Sequence, residues 1–540
     1  MVKFKRNFVL TLKSIGVICT LFMVQLSVVQ DKKKPNIIFI MTDDHAAGAT
    51  GILYGGRLAN LGATPNLDAL AKEGMVFENC FVTNSICTPC RASIITGQYS
   101  QTNGVLDLWN ELDASKQYLP QEIKKLGYET AMIGKWHLHQ EPKAFDYYKV
   151  FPLQGTYFDP EFRAKDKGKW PDNTVQYKGH SSDVVTDQVL NWVHNRKNPE
   201  KPFFLMYHFK APHDMFEFNP KYASYLEDVK IPEPQSLYDQ PHWGSEATRG
   251  KNDSLLHVIG SSISSRHPNR NYVDIYKTGS LPTEKERTSA AYQEYLKRYL
   301  RCVKGVDDNL GRFFEDLKKE GLWENTIIVY TSDQGMMLGE HDFEDKRWMY
   351  EESIHMPFIV RYPEKIKAGS RNSYLINNTD FAPTLIELAG GRAPDYMQGK
   401  SLKPIMEGER PDDWRSATYY RYWMQMVHHD IPAHFGLRSE NYKLIFFYGR
   451  YHNLEKEGSL SMYWNDEEHS NKVEPTPAAW EFYDLKNDPG ELVNAYGNPK
   501  YQDIIQQMKA ELKGTRKELN EEDDKYPHLQ EIIVRHWNDK

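Results

Sequence analysis

Cysteine is scarce in this chain, with 5 residues in 540. Cys19 lies in an N-terminal apolar run, which leaves Cys80, Cys87, Cys90 and Cys302 for everything after it. That is too few to staple a chain of this size, so a disulfide scaffold is excluded and the fold must rest on a buried core. Positive charge is not in excess either. Lys and Arg number 67 against 74 Asp and Glu, a formal net charge of −7. This is not the footprint of a nucleic-acid binder, and no nucleic-acid partner is expected. After Asp31 no second apolar run is long enough to span a bilayer, and no internal repeat is found.

What precedes Asp31 is of another kind. Lys3, Lys5 and Arg6 are followed by an apolar run over 15–29. This reads as a secretory signal peptide over 1–30, and so as an exported protein, periplasmic or secreted. An uncleaved anchor is the alternative. Aromatics make up 13% of the chain; their faces suit sugar rings, but they also suit ordinary cores.

Continuous apolar runs predict buried strands over 36–41, 75–83, 128–133, 203–209, 326–331 and 358–362. Helical patterns fall between them over 64–74, 119–126, 182–196 and 380–388. A long helix is predicted over 283–320, where Tyr292, Leu296, Tyr299, Val303, Val306, Leu310, Phe313 and Leu317 step by three and four. Such alternation predicts an α/β fold with a large, mostly parallel sheet flanked by helices, over 31–410. The stretch 241–271 is polar and turn-rich and reads as an insertion bordering a cleft. Beyond about residue 411 the pattern changes. An antiparallel sheet around 436–448 and a helix over 501–519 predict a smaller C-terminal α+β subdomain, 411–540.

The chemistry collects around residues 84–97, Asn-Ser-Ile-Cys-Thr-Pro-Cys-Arg-Ala-Ser-Ile-Ile-Thr-Gly. Thr88-Pro89 can start a helix and Gly97 can end it. Cys87 then lies at the positive end of a helix, facing an anion site, with Arg91 one turn on. Cys87-Thr-Pro-Cys90 is also a Cys-x-x-Cys, so a redox or zinc motif is a competing reading. A zinc site would need a second ligand pair, and Cys80 and Cys302 are scattered.

Four predicted strands run straight into polar residues that metals and anions favour. These are Asp43-Asp44, Lys135 with His137, His213, and Asp333-Gln334. Ligands of an open parallel sheet bind outside the carboxyl ends of its strands, so these segments can converge. Three carboxylates and an amide suit a hard cation, Ca²⁺ before Mg²⁺, and without one the carboxylates would repel each other. Each pair taken alone reads equally as a turn or a helix cap.

Cys87-x-Pro89-x-Arg91 followed by Thr96-Gly97 resembles the signature of the formylglycine-dependent sulfatases, of the alkaline-phosphatase-like superfamily. Asp43-Asp44, Gly134-Lys135-Trp136-His137, the His213 segment, 331–335, Asp345-Lys346-Arg347 and 482–491 resemble further blocks of that family, in its order. Cys90 and Gln334 depart from the usual residues. The resemblance implies that Cys87 is converted to formylglycine (3-oxoalanine) by a formylglycine-forming maturation enzyme. It implies Ca²⁺ bound by Asp43, Asp44, Asp333, Gln334 and the modified Cys87, with Lys135 and Lys346 on the sulfate and Arg91 fixing residue 87. The implied reaction is attack on sulfur by a hydroxyl of the hydrated aldehyde. His213 protonates the departing sugar oxygen, and His137 deprotonates the second hydroxyl to expel sulfate.

The implied substrate is a sulfated carbohydrate, a polysaccharide or oligosaccharide fragment. For its recognition the aromatic segment 419–434 offers Arg421, His428 and His434, although the segment reads equally as subdomain packing. The rival functions are a phosphomonoester or phosphonate hydrolase of the same superfamily and a non-catalytic sugar-binding protein.

Overall fold

In the computed structural model the described residues are 33–51, 53–238, 241–249, 272–426, 431–456 and 475–539. The signal-peptide reading, most of the 241–271 insertion and His428 lie outside them. No helix among the described residues is long and apolar enough to cross a membrane.

Ten strands form the main sheet. In chain order they are β1 (Asn36–Thr42), β2 (Met75–Phe77), β3 (Glu129–Gly134), β4 (Tyr147–Val150), β5 (Glu161–Ala164), β6 (Thr174–Gln176), β7 (Phe203–His208), β8 (Thr326–Ser332), β9 (Phe358–Arg361) and β10 (Ser370–Asn372). Their order in space is β10-β2-β9-β8-β1-β7-β3-β4-β5-β6. The centre, β8-β1-β7-β3-β4, is parallel throughout. Antiparallel pairing enters only toward the edges, at β9, β5 and β6.

Every residue of β1 is buried, and its alternation explains why the run is apolar throughout. Ile37, Phe39 and Met41 enter one core with Ile94 and Ile95 of α2 (Cys87–Thr96), which follows α1 (Pro65–Glu73), and with Leu119 and Ile123 of a later helix, α3 (Tyr118–Lys125). Ile38 and Ile40 enter the opposite core with Val185 and Val189 of α4 (Ser181–His194) and the long α5 (Glu284–Lys319). A strand with helices on both faces has no polar side. The expected strand over 75–83 is broken. After β2 the chain leaves the main sheet, and Cys80–Phe81 pairs instead with Ile376–Asn377.

A second sheet of four antiparallel strands follows: β11 (Ala417–Tyr422), β12 (His434–Ser439), β13 (Tyr442–Phe447) and β14 (Ala479–Asp484). Leu437, Phe446 and Phe482 pack there against Ile505 and Leu512 of α6 (Gln502–Glu518). Both sheets belong to one compact unit, Lys34–Lys540.

Candidate active site

The strand ends that the sequence singles out do converge. β1 delivers Asp43 and Asp44, β3 delivers Lys135 and His137, β7 leads to His213, and β8 leads to Asp333 and Gln334. Gly134 lets β3 come close to β7: a Cβ there would lie 1.7 Å from the His208 carbonyl oxygen. Gly97 ends α2 in the left-handed region, φ 67°.

The carboxylates of Asp43, Asp44 and Asp333 are fully buried, and each offers an oxygen within 4.8 Å of the others. Cys87 opens α2 beside them. Its Sγ lies 3.5 Å from Asp43 Oδ1, 3.5 Å from Gln334 Nε2 and 3.8 Å from Lys135 Nζ. Arg91, one turn on, donates through Nε and Nη2 to Asp333 Oδ2 at 3.0 and 2.8 Å, and through Nη1 to the Lys135 carbonyl at 2.6 Å. Lys135 pairs with Asp43 and donates to Gln154. Lys346 donates to Asp44 Oδ2 at 2.6 Å. His213 Nε2 lies 3.8 Å from the same oxygen, while its Nδ1 pairs with Asp214.

The electrostatics follow from burial. Burial pushes Asp43 upward, but Lys135, His213 and Arg91 outweigh it and hold that carboxyl well below the usual range. Burial and the Asp43 charge push Asp333 well above it. A further cation beside Asp333 would relieve its repulsion with Asp43. Gln334 points the same way, because its Oε1 is buried with no hydrogen-bond partner. Four oxygens, one of them orphaned, fit a hard divalent cation. The Cys87 thiol is raised by burial and by Asp43, so as a thiol it stays protonated and makes a poor nucleophile. Cys90 Sγ donates to the Asp333 carbonyl at 2.5 Å, and Cys80, Cys87, Cys90 and Cys302 are all free. This is not a redox pair in its oxidised form.

His137 is held well below its ordinary value by burial and by Lys135 and Arg91, and is therefore neutral. Its buried Nδ1 has no partner, so it can accept a proton. Burial works against the Lys346 ammonium, but Asp44 keeps it charged. Beside His137 a cleft of about 600 Å³ opens between Trp109, Leu153, Gln154 and Glu161, within the usual size range of a small-molecule site.

Arg421 and His434 are corrected by the structure. The Arg421 guanidinium is buried in the C-terminal subdomain, 2.6 Å from Asp523 and 3.6 Å from Glu521, over the Trp423 ring. His434 is fully buried, with Nδ1 against the Pro432 carbonyl and its ring against Tyr420 and Phe447. Both are packing residues here, because aromatic neighbours and a carboxylate from distant sequence close over them. Arg421→Leu is expected to cost about 1–3 kcal/mol, since it takes one of two cations from the buried Asp523, which keeps Arg516. Thermal unfolding checks this, and the protein that remains folded should keep its KM within about twofold, as a packing role requires. Gln154, Tyr157, Lys210 and Asp214 also reach the site. Only Lys210 carried a signal, as the polar end of its strand.

Comparison with known proteins places these residues in context. The Sulfatase family profile matches residues 35–391, and that of the N-sulphoglucosamine sulphohydrolase C-terminal region matches 339–460 and 472–518. An N-acetylglucosamine-6-O-sulfatase of Bacteroides thetaiotaomicron is 37% identical over 531 residues, covering 92% of this chain and 88% of its own. An ulvan-active sulfatase of Formosa agariphila is 26% identical, over 91% of this chain and 82% of its own. A solved structure in complex with its substrate D-glucosamine-2-N,6-O-disulfate superposes with a TM-score of 0.77 at 36% identity, covering 91% of this chain and 99% of that one. A phosphonate monoester hydrolase from Silicibacter pomeroyi shares the fold at 20% identity and a TM-score of 0.66, over 90% and 96% of the two chains.

Proposed function

The chain belongs to the sulfatase family, and on that premise we propose that it removes the 6-O-sulfate from glucosamine-type sugars in sulfated saccharides, as an exported, Ca²⁺-dependent enzyme matured at Cys87. The observation that carries the reading is the meeting of Asp43, Asp44, Asp333 and the unpartnered Gln334 oxygen at the head of the Cys87 helix. The choice of sugar and position rests on the 37% identical relative and on the substrate of the 36% identical structure. Export rests on the N-terminal basic and apolar run.

Asp43, Asp44, Asp333 and Gln334 would hold the cation. Bound there, it would supply Lewis acidity to sulfate oxygens, and a formylglycine at 87 would supply the nucleophilic oxygen that a protonated thiol lacks. The other roles fall to the chain's own side chains. With a cation on the carboxylates, the Lys135 and Lys346 ammoniums would be free to take sulfate oxygens. Arg91, tied to Asp333 and to the Lys135 carbonyl, fixes the first turn of α2. His213, held through Nδ1 by Asp214, presents Nε2 to the departing sugar oxygen and delivers a proton to it. Neutral His137, whose Nδ1 has no hydrogen-bond partner, accepts a proton.

Two measurements test this. The first is free sulfate release from glucosamine and galactosamine sulfated singly at each position, using protein co-expressed with a formylglycine-forming enzyme, with and without a calcium chelator. Chelator-sensitive release confined to glucosamine 6-sulfates is expected. Release from another position or configuration sinks the substrate, and release from phosphate or phosphonate esters alone sinks the reaction class. The second uses His213→Ala, which should lower kcat on a sugar sulfate about 10²–10⁴-fold. An aryl sulfate with an acidic phenol, which needs no proton to leave, should lose far less. Equal losses on both esters would remove His213 from the acid role.

A further inference from the structure

Among the described residues the cations of the site are paired, with one exception. Arg91 pairs with Asp333, Lys135 with Asp43, and Lys346 with Asp44 and Asp345. Lys210 sits on the loop between β7 and His213 and is only 6% exposed. Among the described residues no carboxylate lies within ion-pair distance of its ammonium. Its ammonium lies over the face of Tyr157, 5.0 Å from Nζ to the ring centre. Tyr157 in turn donates its hydroxyl to the His213 carbonyl, so the Lys210 amine is held against the wall that carries His213. Its nearest charged neighbours are Lys135, Asp43 and Asp214, with Cys87 beside them. That places it at the reaction centre rather than on the outer surface.

A ring face does not offset the cost of burying an ammonium, least of all beside a second one. Burial and Lys135 accordingly lower its affinity for the proton. A cation in this position is stabilised when an anion arrives. Unlike Lys135 and Lys346, it need not first give up a carboxylate. We propose that Lys210 binds an oxyanion of the substrate, either the sulfate under attack or a second sulfo group on the same sugar. This rests on the sulfatase reading above and adds a residue to it. The two sources share their chemistry, a singly charged sulfo oxygen accepting from Nζ, and differ in which ester would be affected.

The test compares wild type, Lys210→Met and Lys210→Arg on N-acetylglucosamine 6-sulfate and on N-sulfoglucosamine 6-sulfate, together with calorimetric binding of inorganic sulfate. Methionine keeps the length and removes a buried charge, so its thermal midpoint should not fall. If Lys210 holds the sulfate under attack, Lys210→Met loses at least about tenfold in kcat/KM on both esters and binds inorganic sulfate at least about tenfold more weakly. If it holds a second sulfo group, the loss is confined to the N-sulfo ester and falls on KM. In either case Lys210→Arg recovers most of the loss. Changes under threefold on both esters, with unchanged sulfate binding, overturn the proposal. If the wild type hydrolyses neither ester, it is the sulfatase substrate that has failed. Sulfate binding then decides for Lys210 alone: weaker binding in the methionine variant supports it, and equal binding overturns it.

Discussion

Replacing Cys87 by alanine is expected to lower kcat on the order of 10⁵-fold or more, the scale seen when a nucleophile is removed outright. No other group in the site can take its place. Lys135 and Lys346 are each tied to a buried carboxylate, and Cys90 is turned onto the Asp333 carbonyl. The fold should survive the change. Residue 87 is one small buried side chain at the start of α2, and losing its sulfur leaves a void of about one atom, a cost of about 1–2 kcal/mol. Three readouts check this: turnover, the thermal midpoint, and the mass of the peptide bearing position 87. Full turnover with an unchanged midpoint would end the nucleophile assignment. A collapsed midpoint would show that alanine cannot test it, and Cys87→Ser, closer in size, would then be measured instead.

The second large effect is expected at Asp333. Asp333→Asn keeps the size of the side chain and removes its charge. It takes one anionic oxygen from the cluster and leaves the Arg91 guanidinium, which now holds Asp333 Oδ2 with two nitrogens, only the longer pair with Asp43 at 3.6 Å. Both effects weaken the cation's seat, and the charge stabilisation lost in the transition state should lower kcat/KM at least about a thousandfold. On the proposed calcium site, bound calcium measured by elemental analysis should fall well below one equivalent, and added Ca²⁺ should restore part of the rate. A variant that keeps its calcium and loses activity would assign Asp333 to orienting Arg91. A variant that keeps both would remove it from the metal site.

These expectations draw on residues that the sequence exposes to different degrees. Asp43, Lys135, His213 and Asp333 were legible because each follows a continuous apolar run, and in a parallel sheet the polar residue after such a run lies at the ligand-binding edge. Cys87 was legible because Pro89 and Gly97 bracket a helix whose first residue must face its positive end. Neither signal says how far apart the groups are. The 3.5 Å from Cys87 Sγ to Asp43 depends on where α2 docks, and there Arg91 ties its first turn to Asp333 after β8 and to the Lys135 carbonyl after β3.

Other features had no local signature. The segment 419–434 alternates aromatic and polar residues without a period that distinguishes a cleft wall from a core. What decided it was Asp523, about a hundred residues on, which buries the charge of Arg421. Gln154 lies in an irregular stretch and gains its meaning only from contact with Lys135. Lys210 is the reverse case: it directly follows the apolar run over 203–209, but that no carboxylate among the described residues pairs with it can be seen only when those neighbours are in place.

By itself, the sequence determined the alternation of apolar strands and amphipathic helices, the polar strand ends and the helix headed by Cys87. Those follow from local rules of period, capping and charge. Only the tertiary structure decided which charges pair, which aromatic segment is core and which amine is left for an anion. Those depend on neighbours brought together from far along the chain, and burial sets their cost.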